Sequence, residues 1–204
     1  MNQTVMNWPD QLCIDHFRGL DGLEQASSRG LSAAGILRDY GILETLAEFD
    51  PVIAGTLPIG IDTAQSDIDI LCHASDLAAF EQFALRAFGA MSGFSCHERQ
   101  ATRNVRPALV VRFTCDDLPV EIFATDCPAT LQYGFVHMLV EARILHLMGD
   151  GFADDVRALK ETGVKTEPAF AKLLEIDGDP YIALANLVEL NPVELATYLS
   201  AKLR

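Results

Sequence analysis

The sequence lacks the marks of secreted, membrane-spanning and disulfide-rich proteins. No apolar run approaches the roughly 18 residues of a membrane span, and the segment from Met1 to Asp10 is polar and contains a proline, unlike a secretory leader. The five cysteines are odd in number and widely spaced, which is typical of reduced thiols and argues against a zinc site held by cysteines. We therefore expect a cytoplasmic protein without a membrane partner.

Basic residues are also scarce. The chain has 15 Lys and Arg against 29 Asp and Glu, and its formal net charge is −14. Nucleic-acid backbones and anionic membrane surfaces are bound mainly through Lys and Arg, so this charge argues against extended nucleic acid as a partner. A small molecule or a protein is the expected partner.

The length and the hydrophobic pattern predict an α+β fold. Strand-like runs fall at 51–54, 67–71, 95–99, 108–115 and 118–123, with helices before, between and after them, including one that Ser32 is expected to cap. From about residue 130 the pattern is helical to the end of the chain. We expect a single domain over 1–204, with a mixed β-sheet core at about 31–130 and a helical region at about 131–204 packed on it.

Two carboxylates dominate the stretch 54–71. Asp67 and Asp69 alternate with Ile68 and Ile70, so in a strand both carboxylates point to one face while the isoleucines pack on the other. Like charges at that distance disfavour each other's ionisation unless a cation lies between them. A divalent metal with oxygen ligands meets this need most simply. The alternative is a solvated face that keeps a half-buried strand soluble.

A predicted hairpin brings a third acid and an arginine together. If the turn at 116–117 is a two-residue loop, Cys115 faces Leu118, and counting back along both strands places Arg112 opposite Glu121. Glu121 is then either a ligand or one half of an ordinary ion pair. Four arginines are concentrated in this region, where they would bind phosphate or balance charge: Arg99, Arg103, Arg106 and Arg112.

The order Gly55-Thr56, Asp67-Ile68-Asp69 and then Glu121 resembles the nucleotidyltransferase superfamily with the polymerase-beta-like fold. The wider chain resembles the DUF4269 type of bacterial proteins within it. That resemblance rests on the Gly-Thr-x-Pro-x-x-Ile-Asp segment at 55–62, on Ser66-Asp67, on Glu121-Ile122-Phe123, and on a helix with Gln132, His137-Met138, Glu141 and Arg143. The chain departs from the superfamily at Thr56, where Ser or Gly is usual.

The resemblance implies a metal-dependent enzyme that moves NMP from an NTP to a hydroxyl of a small molecule or protein. Asp67 and Asp69 would hold Mg²⁺ or Mn²⁺, and Glu121 would complete the second ion's shell or take the nucleophile's proton. Four residues would bind the nucleotide, through backbone N–H groups, hydroxyls and a guanidinium: Gly55, Thr56, Ser66 and Arg112. Three residues of the later helix would line the cleft: Gln132, His137 and Glu141.

Two other functions remain open at this stage. The Thr56 departure, together with the lack of an evident group for base recognition, also fits a non-catalytic nucleotide-binding or protein-interaction module on the same fold. Alternatively, Glu121, His137, Glu141 and the aspartates would form the site of a metal-dependent hydrolase. His137 and Glu141 lie one helical turn apart, a spacing that is more often a structural hydrogen bond than a metal pair.

Overall fold

The structure is a computed structural model that describes residues 8–101 and 106–202, so the predicted arginine at position 103 lies outside the described residues. The elements in chain order are α1 (Asp21–Ala26), α2 (Ser28–Asp39), α3 (Ile42–Thr45), β1 (Val52–Ala54), β2 (Ile68–His73), α4 (Leu77–Phe88), β3 (Ser92–Arg99), β4 (Ala108–Cys115), β5 (Leu118–Thr125), α5 (Tyr133–Met148), α6 (Asp150–Glu161), α7 (Thr166–Leu173), α8 (Pro180–Ala185) and α9 (Pro192–Lys202). Over these residues, no helix is both long enough and apolar enough to span a bilayer.

The strands form one mixed sheet in the order β1-β2-β5-β4-β3, which confirms the predicted α+β fold. The pair of β2 and β5 is parallel, and the other neighbours are antiparallel. The predicted hairpin register is also confirmed, with Cys115 opposite Leu118 and Arg112 opposite Glu121. Because β5 lies directly beside β2, the parallel register makes Asp69 the neighbour of Glu121.

Some helix boundaries differ from the predicted ones. Ser27, not Ser32, caps α2, because Ser27 is extended and its hydroxyl accepts a hydrogen bond from the Gly30 amide at 2.9 Å. Ser32 lies inside that helix and donates back to the Ser28 carbonyl. The pattern at 181–190 is helical only to Ala185, after which the chain continues in turns.

Hydrophobic packing places the helical region against the first strands of the sheet. One cluster lies between the sheet and the helices α2 to α4. A second lies among α5 to α9, and a third joins α5 to β1 and β2 through Phe135, Met138, Val52 and Leu71. The α5 helix therefore runs beside the strand that carries Asp69. The predicted division at about residue 130 stays a prediction.

Candidate active site

The turn after β1 passes directly over the acidic strand. Gly55 has φ +83°, a backbone conformation that L side chains rarely adopt, and a Cβ at this position would overlap Asp69 Oδ2. Next to it, the Thr56 hydroxyl lies 3.3 Å from the Ser66 hydroxyl, and the Ser66 oxygen also accepts from the Thr63 amide at 2.9 Å. The turn can approach the carboxylate this closely because it begins with glycine.

Basic side chains fix the loop between β1 and β2 from outside. Arg29 of α2 donates to Asp62 Oδ2 at 2.9 Å and to the carbonyls of Thr63 and Ser66. From α6, Arg157 donates to the Gly60 carbonyl at 2.6 Å and Lys160 to the Ile61 carbonyl at 2.7 Å. The loop has few backbone hydrogen bonds of its own. These basic side chains therefore satisfy five acceptors of the loop.

Replacing Arg29 with Met should loosen this loop without disturbing the sheet. The Ser66 carbonyl would lose the hydrogen bond from Arg29, and the Thr63 carbonyl would keep only the Ser66 amide, at a cost of roughly 1–3 kcal/mol. We expect the amide of Ser66, which donates to the Thr63 carbonyl, to exchange with solvent about tenfold faster or more, as a loss of about 1.4 kcal/mol already predicts. Hydrogen exchange followed by NMR measures this rate. The matched control is Arg38→Met, because Arg38 pairs with Glu24 at the surface; equal exchange at Ser66 in both variants would contradict the assignment.

Three carboxylates meet where β2 and β5 run side by side. Asp69 is partly buried, and burial, followed by the charges of Asp67 and Glu121, raises its pKa to about 7, from an ordinary value of 3.8. Glu121 forms an ion pair with Arg112, its cross-strand neighbour. Asp67 precedes β2, at the end of the fixed loop. The site therefore concentrates negative charge on two neighbouring interior strands, with Arg112 paired to one of the carboxylates.

Two adjoining cavities open onto Asp69. The smaller, here the loop cavity, has a volume of about 420 Å³ and is lined by Thr56, Thr63, Ser66, Asp67, Asp69, Lys160, Gly163, Val164, Lys165, Thr166 and Glu167. The larger, here the helix cleft, has a volume of about 830 Å³ and runs along α5 and the start of α8. Both are lined by Thr56, Asp69, Thr166 and Glu167, so the carboxylate lies where they join.

Nearly all the predicted site residues line these two cavities. Thr56, Ser66, Asp67 and Asp69 face the loop cavity. The helix cleft takes Gly55, Glu121, Gln132, His137 and Glu141, together with Arg99 and Arg106 at its other end. Arg112 lines neither cavity, and its predicted role in nucleotide binding stays a prediction.

The sequence spacing of His137 indicated Glu141 as its partner, but the structure gives His137 different partners. Its ring Nε2 lies 2.9 Å from the Tyr181 carbonyl, which can only accept, so Nε2 carries the proton of that bond. Its Nδ1 lies 3.2 Å from Glu167 Oε1, an ion pair when the imidazole is protonated. His137 thus ties α5 to α7 and α8, and the hydrogen bond expected of it is structural.

Glu167, at the start of α7, is a site residue that the sequence did not reveal. It lies in both cavities. Burial raises its pKa, but the hydrogen bond from His137, a backbone hydrogen bond and the nearby charges of His137 and Lys165 lower it on balance. An acidic residue in the first turn of a predicted helix was the available signal, but only the tertiary contact with His137 on α5 connects Glu167 to the site.

Glu141 is buried on the side of α5 that faces the cleft. Its exposed fraction is 3%, and burial, followed by the charge of Glu167, raises its pKa to about 8 against the opposing effect of Lys160. Burial likewise lowers the Lys160 pKa, while the charges of Glu141, Asp62 and Glu167 raise it. Glu141 Oε1 has no hydrogen-bond partner within the described chain.

Within the described chain, the carboxylates of the site do not form a metal cage made of protein ligands alone. Over residues 8–101 and 106–202, no group of three or more His, Cys, Asp or Glu side chains is arranged so that it could hold a metal ion. In phosphate-transfer sites, however, Mg²⁺ is usually bound by one or two carboxylates together with substrate phosphates and water, not by an all-protein cage. Asp67 and Asp69, beside the hydroxyls of the loop cavity, fit that arrangement, and burial together with the charges of Asp67 and Glu121 disfavours an ionised Asp69 when no cation is bound, which raises its pKa.

A model of the family described as domain of unknown function DUF4269 matches residues 35–187, which confirms that predicted resemblance. No curated protein gives a significant match. Among solved structures, one similar protein is Cid1, which is described as having RNA terminal uridylyl transferase activity. It is 16% identical with a TM-score of 0.47, over 78% of this chain and 48% of Cid1. A chain of the GLD-2/RNP-8 complex is 17% identical with a TM-score of 0.49, over 76% of this chain and 60% of that one. The chain thus spans about half to three fifths of these similar proteins.

Proposed function

We propose that this chain, which belongs to the DUF4269 family, is a metal-dependent nucleotidyltransferase that moves NMP from an NTP to a hydroxyl of a small molecule or protein. The observation that carries the proposal is the position of Asp69. The parallel pairing of β2 and β5 sets it beside Glu121, and it lies at the junction of the loop cavity and the helix cleft. A transferase needs such a junction, because donor and acceptor must meet at one group.

The loop cavity has the chemistry of a phosphate site. Its lining includes the hydroxyl residues Thr56 and Ser66 and the basic residues Lys160 and Lys165. Hydroxyls donate to phosphate oxygens, and lysines neutralise their charge. The loop that carries the hydroxyls is fixed by Arg29, so the donors are positioned before a nucleotide arrives.

Asp67 and Asp69 would hold a Mg²⁺ or Mn²⁺ ion, which when bound would neutralise the triphosphate and lower the pKa of the attacking hydroxyl. The acceptor oxygen would form a bond to the α-phosphorus, and the bond to the bridging oxygen would break, releasing pyrophosphate. Glu121, held in place by Arg112, would accept the proton of the attacking hydroxyl. Gly55 keeps the donor turn close to the aspartates.

A nucleotide-binding module without catalysis is the second candidate. The observation that favours it is the ion pair between Glu121 and Arg112, which occupies the carboxylate that would act as ligand or base. In that case the loop cavity would still bind a triphosphate. The two candidates differ in whether pyrophosphate is released.

The test is transfer of label from each α-phosphate-labelled NTP, with Mg²⁺ or Mn²⁺ and a cell extract as the source of acceptors. We expect transfer by the native protein and a loss of a hundredfold or more in Asp67→Asn, about 3 kcal/mol or more of transition-state stabilisation. Asp155→Asn is the matched control, since Asp155 is exposed on α6 and lies outside both cavities.

The possible results of this assay separate the candidates. Nucleotide binding without pyrophosphate release would support the module. No binding of any nucleotide and no transfer, with Asp67→Asn behaving as the native protein, would contradict both. Zinc or iron bound to the purified protein would instead support the metal-dependent hydrolase.

A further inference from the structure

Two residues that line the helix cleft each carry a buried acceptor atom without a partner in the described chain. One is Glu141 Oε1, in a side chain that is 3% exposed; the other is Gln132 Oε1, in a side chain that is 5% exposed. The orientation of the Gln132 amide is fixed, because its Nε2 donates to the carbonyls of Cys72 at 2.9 Å and Cys127 at 3.0 Å. Those carbonyls can only accept, so the oxygen must be the orphaned atom.

Unpaired buried acceptors are rare in folded proteins and costly, at roughly 1–3 kcal/mol each. Both atoms here are acceptors, and both residues line one cleft. A ligand that satisfies them must donate hydrogen bonds, and a ligand that offers only acceptors would leave them unpaired. Other acids line the same cleft: Asp69, Glu121, Glu167 and Asp179.

The cleft also has a definite long axis. Gly134, His137, Met138 and Glu141 follow the i, i+3, i+4, i+7 spacing of one helix face, and all four line it. Gln132 immediately precedes α5. Gln132 and Glu141 are nine positions apart, which corresponds to a rise of roughly 13 Å between their backbone positions along the helix axis.

The remaining walls suit the carbon skeleton of a long ligand. Exposed apolar and aromatic side chains border the cleft, namely Leu131, Tyr133, Tyr181 and Ile182. Aromatic faces also attract ammonium groups. Two arginines also line the cleft and have partners of their own: Arg99 stacks on the Phe123 ring, and Arg106 donates to the carbonyl of Asp126, the residue before the Cys127 that binds Gln132.

We propose that the helix cleft binds an elongated, amine-bearing compound, with an ammonium group at Glu141 and a second donor at Gln132. An ammonium group carries three donors and no acceptor, which matches both the orphaned atoms and the acidic lining. The proposal that the cleft binds an amine does not depend on the proposed transferase function. The further proposal, that this amine belongs to the hydroxyl acceptor and is the group by which the acceptor is recognised, rests on that function. The raised pKa of Glu141 fits a carboxylate that lacks its cation.

The test uses spermidine, which has amines at both ends and a comparable length, in calorimetry with the full protein and without nucleotide or metal. We expect saturable one-to-one binding to the native protein and at least tenfold weaker binding to Glu141→Gln. The neutral 1,8-octanediol should bind at least tenfold more weakly than spermidine. Glu161→Gln is the matched control, because it removes the same charge from an exposed position on α6.

Equal weakening in Glu161→Gln and Glu141→Gln would overturn the proposal, since it would show attraction to the overall charge alone. Unchanged binding in Glu141→Gln would overturn it as well. A second readout does not depend on that variant: titrations at pH 7 in buffers of different ionisation enthalpy should show a proton released from Glu141 as the amine binds, and binding without proton release would contradict the pairing. Failure of spermidine to bind would overturn the amine site, while the Asp67→Asn transfer result would still test the proposed function separately.

Discussion

Asp69→Asn should make the metal-free protein more stable at pH 8 while abolishing nucleotide transfer. The carboxylate has a pKa of about 7 in the folded protein, against an ordinary value of 3.8, because burial and the charges of Asp67, Glu121 and Glu167 outweigh the opposing charge of Arg112. Between those two values the folded state holds a proton that the unfolded chain has released. The free energy of unfolding therefore falls as pH rises from about 4 to about 7, and stays lower above it.

The size of the effect follows from the shift. Removing the charge should raise the free energy of unfolding at pH 8 by on the order of 4 kcal/mol, because the pKa lies about three units above its ordinary value and each unit corresponds to about 1.4 kcal/mol. In a chain of this length that corresponds to a rise in Tm of roughly 8–16 °C. At pH 4, where the Asp69 carboxyl is protonated in the folded state, the native protein and the variant should melt within a degree or two of each other.

Thermal melts from pH 4 to 8.5 in a chelator measure this difference, with Asp155→Asn as control. A gap between Asp69→Asn and the native protein that does not widen with pH would contradict the assignment. Mg²⁺ with a non-hydrolysable NTP should narrow the gap at pH 8, by about 2.7 kcal/mol at a hundredfold excess over Kd, since only the native site would bind the ion well. The same substitution that relieves the charge would remove the ion's ligand, a familiar opposition between stability and activity.

The parts of the fold that follow from short stretches of sequence were predictable. The alternation of Asp67 and Asp69 with isoleucines set the face of β2, and a two-residue turn fixed the register of β4 and β5, so that Arg112 and Glu121 were paired correctly. Both inferences need only the strand period and the turn length.

The parts that depend on distant pairing were not predictable. Nothing local indicates that β5 inserts beside β2, in parallel, and only that pairing sets Asp69 next to Glu121. Likewise the helical spacing of His137 and Glu141 was correct, but α7 and α8 supply the partners of the histidine, Glu167 and the Tyr181 carbonyl. A sequence pattern gives the face of an element, whereas the partner across that face is set by tertiary packing.

The loop between β1 and β2 connects these observations. Its backbone is fixed by Arg29 from α2 and by Arg157 and Lys160 from α6, more than ninety positions away. The hydroxyls of the loop cavity are therefore positioned jointly by the sheet core and the helical region. Packing of α6 should thus influence the phosphate site as strongly as changes within the loop itself.

Gly55→Ala should damage both folding and transfer, and Asp69 should account for most of the damage. Two costs combine at this position: a left-handed backbone at φ +83°, and a Cβ that would overlap Asp69 Oδ2. Together they should lower the free energy of unfolding by roughly 2–5 kcal/mol. In an Asp69→Ala background the overlap disappears, and the same substitution should cost only about 1–2 kcal/mol.

Gly41→Ala supplies the backbone cost alone, because Gly41 has φ +61° with no atom within 4 Å of its added Cβ. Urea unfolding of the native protein, Gly55→Ala, Asp69→Ala and the double variant gives the coupling energy directly, and Gly41→Ala is measured beside them. Additive costs at positions 55 and 69 would show that the turn tolerates a side chain, and that glycine is needed there for its backbone conformation alone.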